Sequence, residues 1–163
     1  MIRIWTAAWR SASLAVIALA LVFAGLTSAI AADADDCRNV DSAQSVPACT
    51  RLIDSGKEKG PALASLYFNR GTAYTTLGNQ TEAIADLTRA IELRKDFANA
   101  FYNRGLAYWR AEDFDRAVAD FTTYLRLDPK APETYRVRGR AYRGAGQYDR
   151  AITDLNEYIR RKP

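Results

Sequence analysis

A chain of 163 residues carries 23 basic and 19 acidic side chains, a formal charge of +4, and no histidine. That composition excludes histidine-based triads, histidine general bases and histidine-containing metal sites, and its two cysteines alone are too few for a structural zinc. With Arg3 and Arg10 set aside as part of a leader, 21 basic and 19 acidic residues leave +2, too balanced to imply nucleic-acid binding through net charge.

The N-terminus reads as a secretory leader. Arg3 and Arg10 stand without an acid, "LAVIALALVFAGL" runs uncharged from Leu14 to Leu26, and small residues follow up to Asp33. Ala29 and Ala31 form an A-x-A signature, which predicts a signal peptide over 1–31 cleaved after Ala31, or after Ala32. The alternative is an uncleaved anchor, because Ser11 to Ala32 holds about 20 residues of low polarity, enough to span a bilayer. Either way the remainder is exported, and an oxidising compartment favours a disulfide over free thiols. Cys37 and Cys49, with eleven residues between them, are the only candidates. A thiol redox switch is the alternative, disfavoured because the spacing is not C-x-x-C and Arg51 is the one basic neighbour of Cys49.

Beyond residue 60 the chain repeats itself. "LYFNRGTAYTTLGNQTEAIADLTRAIEL", "AFYNRGLAYWRAEDFDRAVADFTTYLRL" and "TYRVRGRAYRGAGQYDRAITDLNEYIRR" align with a 34-residue period. Gly71, Gly105 and Gly139 are in phase, as are Tyr74, Tyr108 and Tyr142, then Ala83, Ala117 and Ala151, then Leu87, Phe121 and Leu155. An aromatic stands four residues before each glycine (Tyr67, Phe101, Tyr135), and Pro129 and Pro163 close the second and third units. This pattern resembles the tetratricopeptide repeat, with units over 64–97, 98–131 and 132–163. Arg70, Arg104 and Arg138 depart from it, standing at the family's usual leucine position. Each unit also reads independently as two amphipathic helices of about 14 residues around a polar turn, which bury their apolar faces only by stacking on neighbours. The expected architecture is an all-α, right-handed superhelical solenoid of three helix-turn-helix repeats with an N-terminal capping hairpin.

One period before Gly71 lies Cys37, and one before Ala83 lies Cys49. The cysteines thus occupy the two small-residue positions of a degenerate unit over 32–63, where two backbones run close enough for a disulfide. A helix over about Asp33 to Val40 would pair with one over about Val46 to Gly56, with Pro47 in its first turn. The segment Cys37, Ala48–Cys49–Thr50, Leu52–Ile53 and Ser55–Gly56, ahead of "Y.NRG.AY" repeats, resembles exported bacterial repeat proteins. That resemblance implies the periplasm of a Gram-negative bacterium and no particular activity.

Two sets of surface residues suggest binding. The family resemblance places Asn69, Tyr102, Asn103, Trp109, Arg136, Arg140 and Arg143 on the concave face, as a peptide-binding groove. Asn69 and Asn103 stand one period apart, and an amide supplies a donor and an acceptor to any peptide backbone. "RVRGRAYR" carries four arginines and no acid, and crowding of Arg136, Arg140 and Arg143 on one face favours an acidic partner. The family's two-carboxylate clamp for chaperone tails is not reproduced: Phe68 and Thr72, then Glu133 and Val137, stand at its polar places. Arg70, Arg104 and Arg138 are expected to pair with Asp86, Asp120 and Asp154 across each hairpin. The last helix, about Tyr148 to Arg161, has no successor in the sequence. Leu155, Tyr158 and Ile159 are then expected to form a sticky face that a homodimer would cover.

These readings converge on a non-catalytic adaptor or scaffold of the cell envelope that binds a protein or peptide. No catalytic, cofactor or metal residues are assigned, no nucleic acid is expected, and a membrane enters only if the anchor is retained.

Overall fold

The computed structural model describes residues 31–41 and 43–161. The leader's basic and apolar stretches lie outside them, and Ala31 and Ala32 open the first described helix. Among the described residues every helical or extended element is a helix, and none is long and apolar enough to cross a membrane. In chain order these are α1 (residues 31–38), α2 (Ser45–Asp54), α3 (Gly60–Leu77), α4 (Gln80–Leu93), α5 (Ala98–Arg110), α6 (Phe114–Leu127), α7 (Pro132–Gly144) and α8 (Tyr148–Arg161).

Contacts are local. α3 packs on α4, α5 on α6 and α7 on α8 as antiparallel hairpins, and each hairpin leans on the next through α4 with α5 and α6 with α7. α3 begins one turn before the predicted unit start at Ala64. Pro61 presets the backbone in the first turn, and Ala62, Leu63 and Ala64 are good helix formers, so the helix extends backwards. Pro132 opens α7 in the same way, and the Asp113 side chain caps α6 by accepting the Arg116 N–H at 3.3 Å.

The core is a column of small residues, with Leu87 and Phe121 fully buried in the first two hairpins. Ala83, Leu87, Ala90, Ile91, Ala100 and Ala107 form one buried cluster, and Ala117, Phe121 and Ala141 the next. The first helix of each repeat is helix A (α3, α5, α7) and the second helix B (α4, α6, α8). The sequence pairs each helix-A glycine with the helix-B alanine twelve residues on. The structure fills that room chiefly with the residue sixteen on: a Cβ on Gly105 would stand 2.8 Å from the Phe121 ring, and one on Gly71 2.8 Å from Leu87. Any larger residue there would push the two helices apart.

Each A helix ends the same way. Asn79 donates to the Tyr74 carbonyl at 2.9 Å, Asp113 to Tyr108 at 2.9 Å and Gln147 to Tyr142 at 2.8 Å. The residue just before each donor must adopt left-handed backbone to make that bond. Gly78 and Gly146 do so at φ of 84° and 73°, but the second unit uses Glu112 at 60°. A left-handed non-glycine costs about 1–2 kcal/mol, while glycine gives back about 0.5–1 in chain entropy. Glu112→Gly should therefore stabilise the protein by about 0.5–1 kcal/mol, read as a rise of a few degrees in melting temperature. An unchanged or lower value would show that Glu112 is held by something other than the turn.

Cys37 and Cys49 are disulfide-bonded, with 4.7 Å between their Cα atoms. They are buried with Ala48 against Leu52 and Leu66, so the bond is the core of the α1–α2 cap. Closing a loop of this length contributes about 3 kcal/mol. In a Cys37→Ala, Cys49→Ala variant, urea unfolding should lose stability of that order. Native-state hydrogen exchange should place the loss in residues 31–56, leaving α7 and α8 protected; equal loss throughout would contradict a locally stapled cap.

Candidate functional site

The surface is positioned by a repeated arginine. Arg70 forks onto Asp86 at 2.7 and 2.9 Å, Arg104 onto Asp120 at 2.8 and 2.8 Å, and Arg138 onto Asp154 at 2.7 and 2.8 Å. These are the hairpin ion pairs expected from sequence. The remaining Nη1 of each reaches back to the preceding hairpin: Arg70 to Thr50 and Arg104 to Thr88 at 3.0 Å, Arg138 to Thr122 at 3.1 Å. Aromatic rings flank the guanidinium, Phe101 and Tyr108 for Arg104 and Tyr135 and Tyr142 for Arg138. Burial pushes the Asp120 carboxyl up, against the opposing pull of Arg104.

Held at that spacing, α5 and α7 leave a groove of about 220 Å³ between them. Leu106 and Val137 form its apolar floor, Tyr102 and Trp109 its aromatic wall, and Arg136 and Arg140 its basic rim. Tyr102 is fixed by ring contacts with Phe121 at 5.7 Å and Tyr124 at 5.2 Å. Burial pushes its phenol up, with the Arg136 charge opposing, so its O–H stays a neutral group at ordinary pH. The two rim arginines differ. Arg136 donates to Glu133 at 2.6 Å, whereas Arg140 is exposed and makes no ion pair among the described residues. Trp109 is about one-third exposed. The groove is smaller than small-molecule sites, which run to about 300–1,000 Å³.

Of the residues predicted for the groove, Tyr102, Trp109, Arg136 and Arg140 are brought together here. The others are elsewhere or otherwise occupied. Asn69 lines a separate hollow of about 340 Å³ beneath the cap, its amide nitrogen 4.0 Å from the Cys37 sulfur. Asn103 donates to the Thr72 hydroxyl at 2.8 Å, which ties α5 to α3. Arg143 is exposed and outside the groove lining, and Arg110 donates to the Thr75 carbonyl, tying α5 to α3. Leu106 and Val137 also line the groove, and Val137 stands where an asparagine ladder would continue, an apolar side chain at the phase of Asn69 and Asn103.

Comparison with known proteins decides the family. Residues 71–112 match the TPR repeat model and residues 102–163 a second model described as tetratricopeptide repeat. The chain is a tetratricopeptide repeat protein. Its tetratricopeptide fold is shared with the crystal structure of MamA, at a TM-score of 0.66 and 24% identity over 72% of this chain and 67% of that one. YrrB, described as a TPR protein with an unusual peptide-binding site, gives 0.66 at 21% identity over 74% of this chain and 60% of YrrB. The second TPR of Spaghetti (RPAP3), bound to the HSP90 peptide SRMEEVD, gives 0.58 at 23% identity over 68% and 99%. A curated relative, the Protein SGT1 homolog of Oryza sativa subsp. japonica, is 50% identical over 42 residues, 26% of this chain. The match spans only 11% of that relative.

Proposed function

We propose that this tetratricopeptide repeat protein is a non-catalytic adaptor of the cell envelope that holds a partner's peptide segment in the α5–α7 groove. The observation that carries the reading is Arg140, exposed and without an ion pair among the described residues, beside Trp109 above an apolar floor. A solvated helix face needs no aromatic wall, and a hydrophobic core needs no free guanidinium. The combination suits an apolar side chain next to an Asp, Glu or terminal carboxylate. YrrB and the Spaghetti domain, described with a peptide-binding site and a bound peptide, are similar to this chain in fold and add support. The envelope assignment rests on the leader-like residues 1–32 and on a disulfide, a bond that persists in oxidising compartments. Mass spectrometry of the mature N-terminus tests it: a cut after Ala31 or Ala32 supports a soluble adaptor, and an intact N-terminus supports a membrane-tethered scaffold.

The groove is tested on an array of random heptapeptides. The protein should select an apolar residue adjacent to an acid, with binding that weakens as salt rises toward 1 M. Arg140→Glu should reduce binding to the selected peptides about tenfold and remove the preference for acids, and Trp109→Ala should cost a similar factor. Selection that ignores charge, or that survives both substitutions with the fold intact by circular dichroism, would overturn the assignment.

A further inference from the structure

α8 repeats the pattern of α4 and α6 but lacks their cover among the described residues. Leu87 and Phe121 are fully buried, whereas Leu155 at the same phase is only half-buried against Gly139. Ile91 and Leu125 are 8% exposed, and their counterpart Ile159 is 68% exposed. Phe114 packs against Gly144 of α7, while Tyr148, one period on, is 64% exposed. Ile152, the counterpart of Val118, is 59% exposed. The uncovered stripe is therefore the exposed Tyr148, Ile152 and Ile159 together with the half-buried Leu155. It differs from the set expected from sequence, Leu155, Tyr158 and Ile159: Tyr148 and Ile152 join it, and Tyr158 leaves it by turning toward α7, its ring 6.0 Å from the Arg136 guanidinium.

The spacing of this stripe is four, three, four, which reads the same in both directions. An antiparallel copy of α8, related by a two-fold axis level with residues 153 and 154, would set Tyr148 opposite Ile159 of its mate and Ile152 opposite Leu155. Each large side chain then meets another, and the match is made twice. The polar flank is also self-complementary. Asp149 and Arg160 lie on the same side of the stripe near opposite ends of α8. A two-fold axis perpendicular to the helix brings like flanks together in reverse, so Asp149 of one copy falls within half a turn of Arg160 of the other, and the reverse. Asp149 makes no ion pair among the described residues. Arg160 binds Glu157 through Nε and Nη2 at 2.8 and 2.6 Å, which leaves Nη1 to reach across.

We propose that the protein forms a two-fold dimer in which the α8 helices pair antiparallel through Tyr148, Ile152, Leu155 and Ile159, closed by two Asp149–Arg160 pairs. The groove residues lie on α5 and α7 and none belongs to this stripe, so the two surfaces are tested separately. The contact is one helix wide, at the low end of specific interfaces, so the dimer is expected to dissociate reversibly on dilution.

Sedimentation equilibrium of the full chain over about 1–300 μM tests this, and a charge swap identifies the contact. Ile152→Glu should leave a monomer with unchanged helicity. Asp149→Arg alone and Arg160→Asp alone should each weaken the dimer about tenfold, because each replaces two attractions with two repulsions. The double swap should restore it. Residues 149 and 160 are three helical turns apart, so no contact within one chain produces that rescue. A wild-type monomer throughout, a dimer indifferent to Ile152→Glu, or a double swap no better than the singles would overturn the proposal. A monomer whose α8 face is instead covered by another protein's helix would appear as the first of these results.

Discussion

One guanidinium per unit connects two hairpins at once. It is forked onto the aspartate sixteen residues on and bonded to a threonine of the hairpin before it. Burying such a pair is not by itself a source of stability, because desolvation offsets the attraction, and the upward push on the Asp120 carboxyl expresses that cost. What the arrangement fixes is position. Five N–H groups in a rigid plane accept few geometries, and an aromatic cage narrows them further. The arginine thereby sets where each A helix stands relative to both B helices beside it. The glycine next to it in sequence lets the helices approach, and the arginine decides how they approach.

The groove is a consequence of that spacing. α3 touches α5 more closely than α5 touches α7, and the gap between the latter two is where Tyr102, Trp109, Arg136 and Arg140 converge. Arg138 and Arg140 are two residues apart on α7 and point to opposite duties. One is 15% exposed and committed to Asp154, and the other is exposed with no ion pair among the described residues. Two arginines that read as equivalent in sequence are thus divided by helical geometry into a structural residue and an exposed one.

Much of this was legible from the period alone. The helical class, the hairpin ion pairs and the pairing of Cys37 with Cys49 all follow from residues standing 34 apart. What the period does not encode is azimuth between neighbouring helices. It could not show that Asn103 turns its donor onto Thr72, or that Asn69 faces the cap. It placed Tyr158 on the outer face as the counterpart of Tyr124, whereas Tyr124 packs on Tyr102 within its own hairpin and Tyr158 likewise lies near Arg136 on α7. The threonine link was half visible. Thr88 and Thr122 are in phase, but the cap supplies Thr50 from a position four residues off, an irregularity only coordinates reveal. Glu112 was hidden for a different reason, since turns are recognised by glycine and this one lacks it.

Each arginine couples neighbouring units rather than bracing its own hairpin alone. Native-state hydrogen exchange on Arg104→Met tests it most directly. Removing the cation leaves Asp120 buried without a partner, a loss of about 3–5 kcal/mol. The account predicts that protection falls in α4, which carries Thr88, as well as in α5 and α6. Loss confined to α5 and α6, with α4 exchanging as in the parent protein, would contradict it.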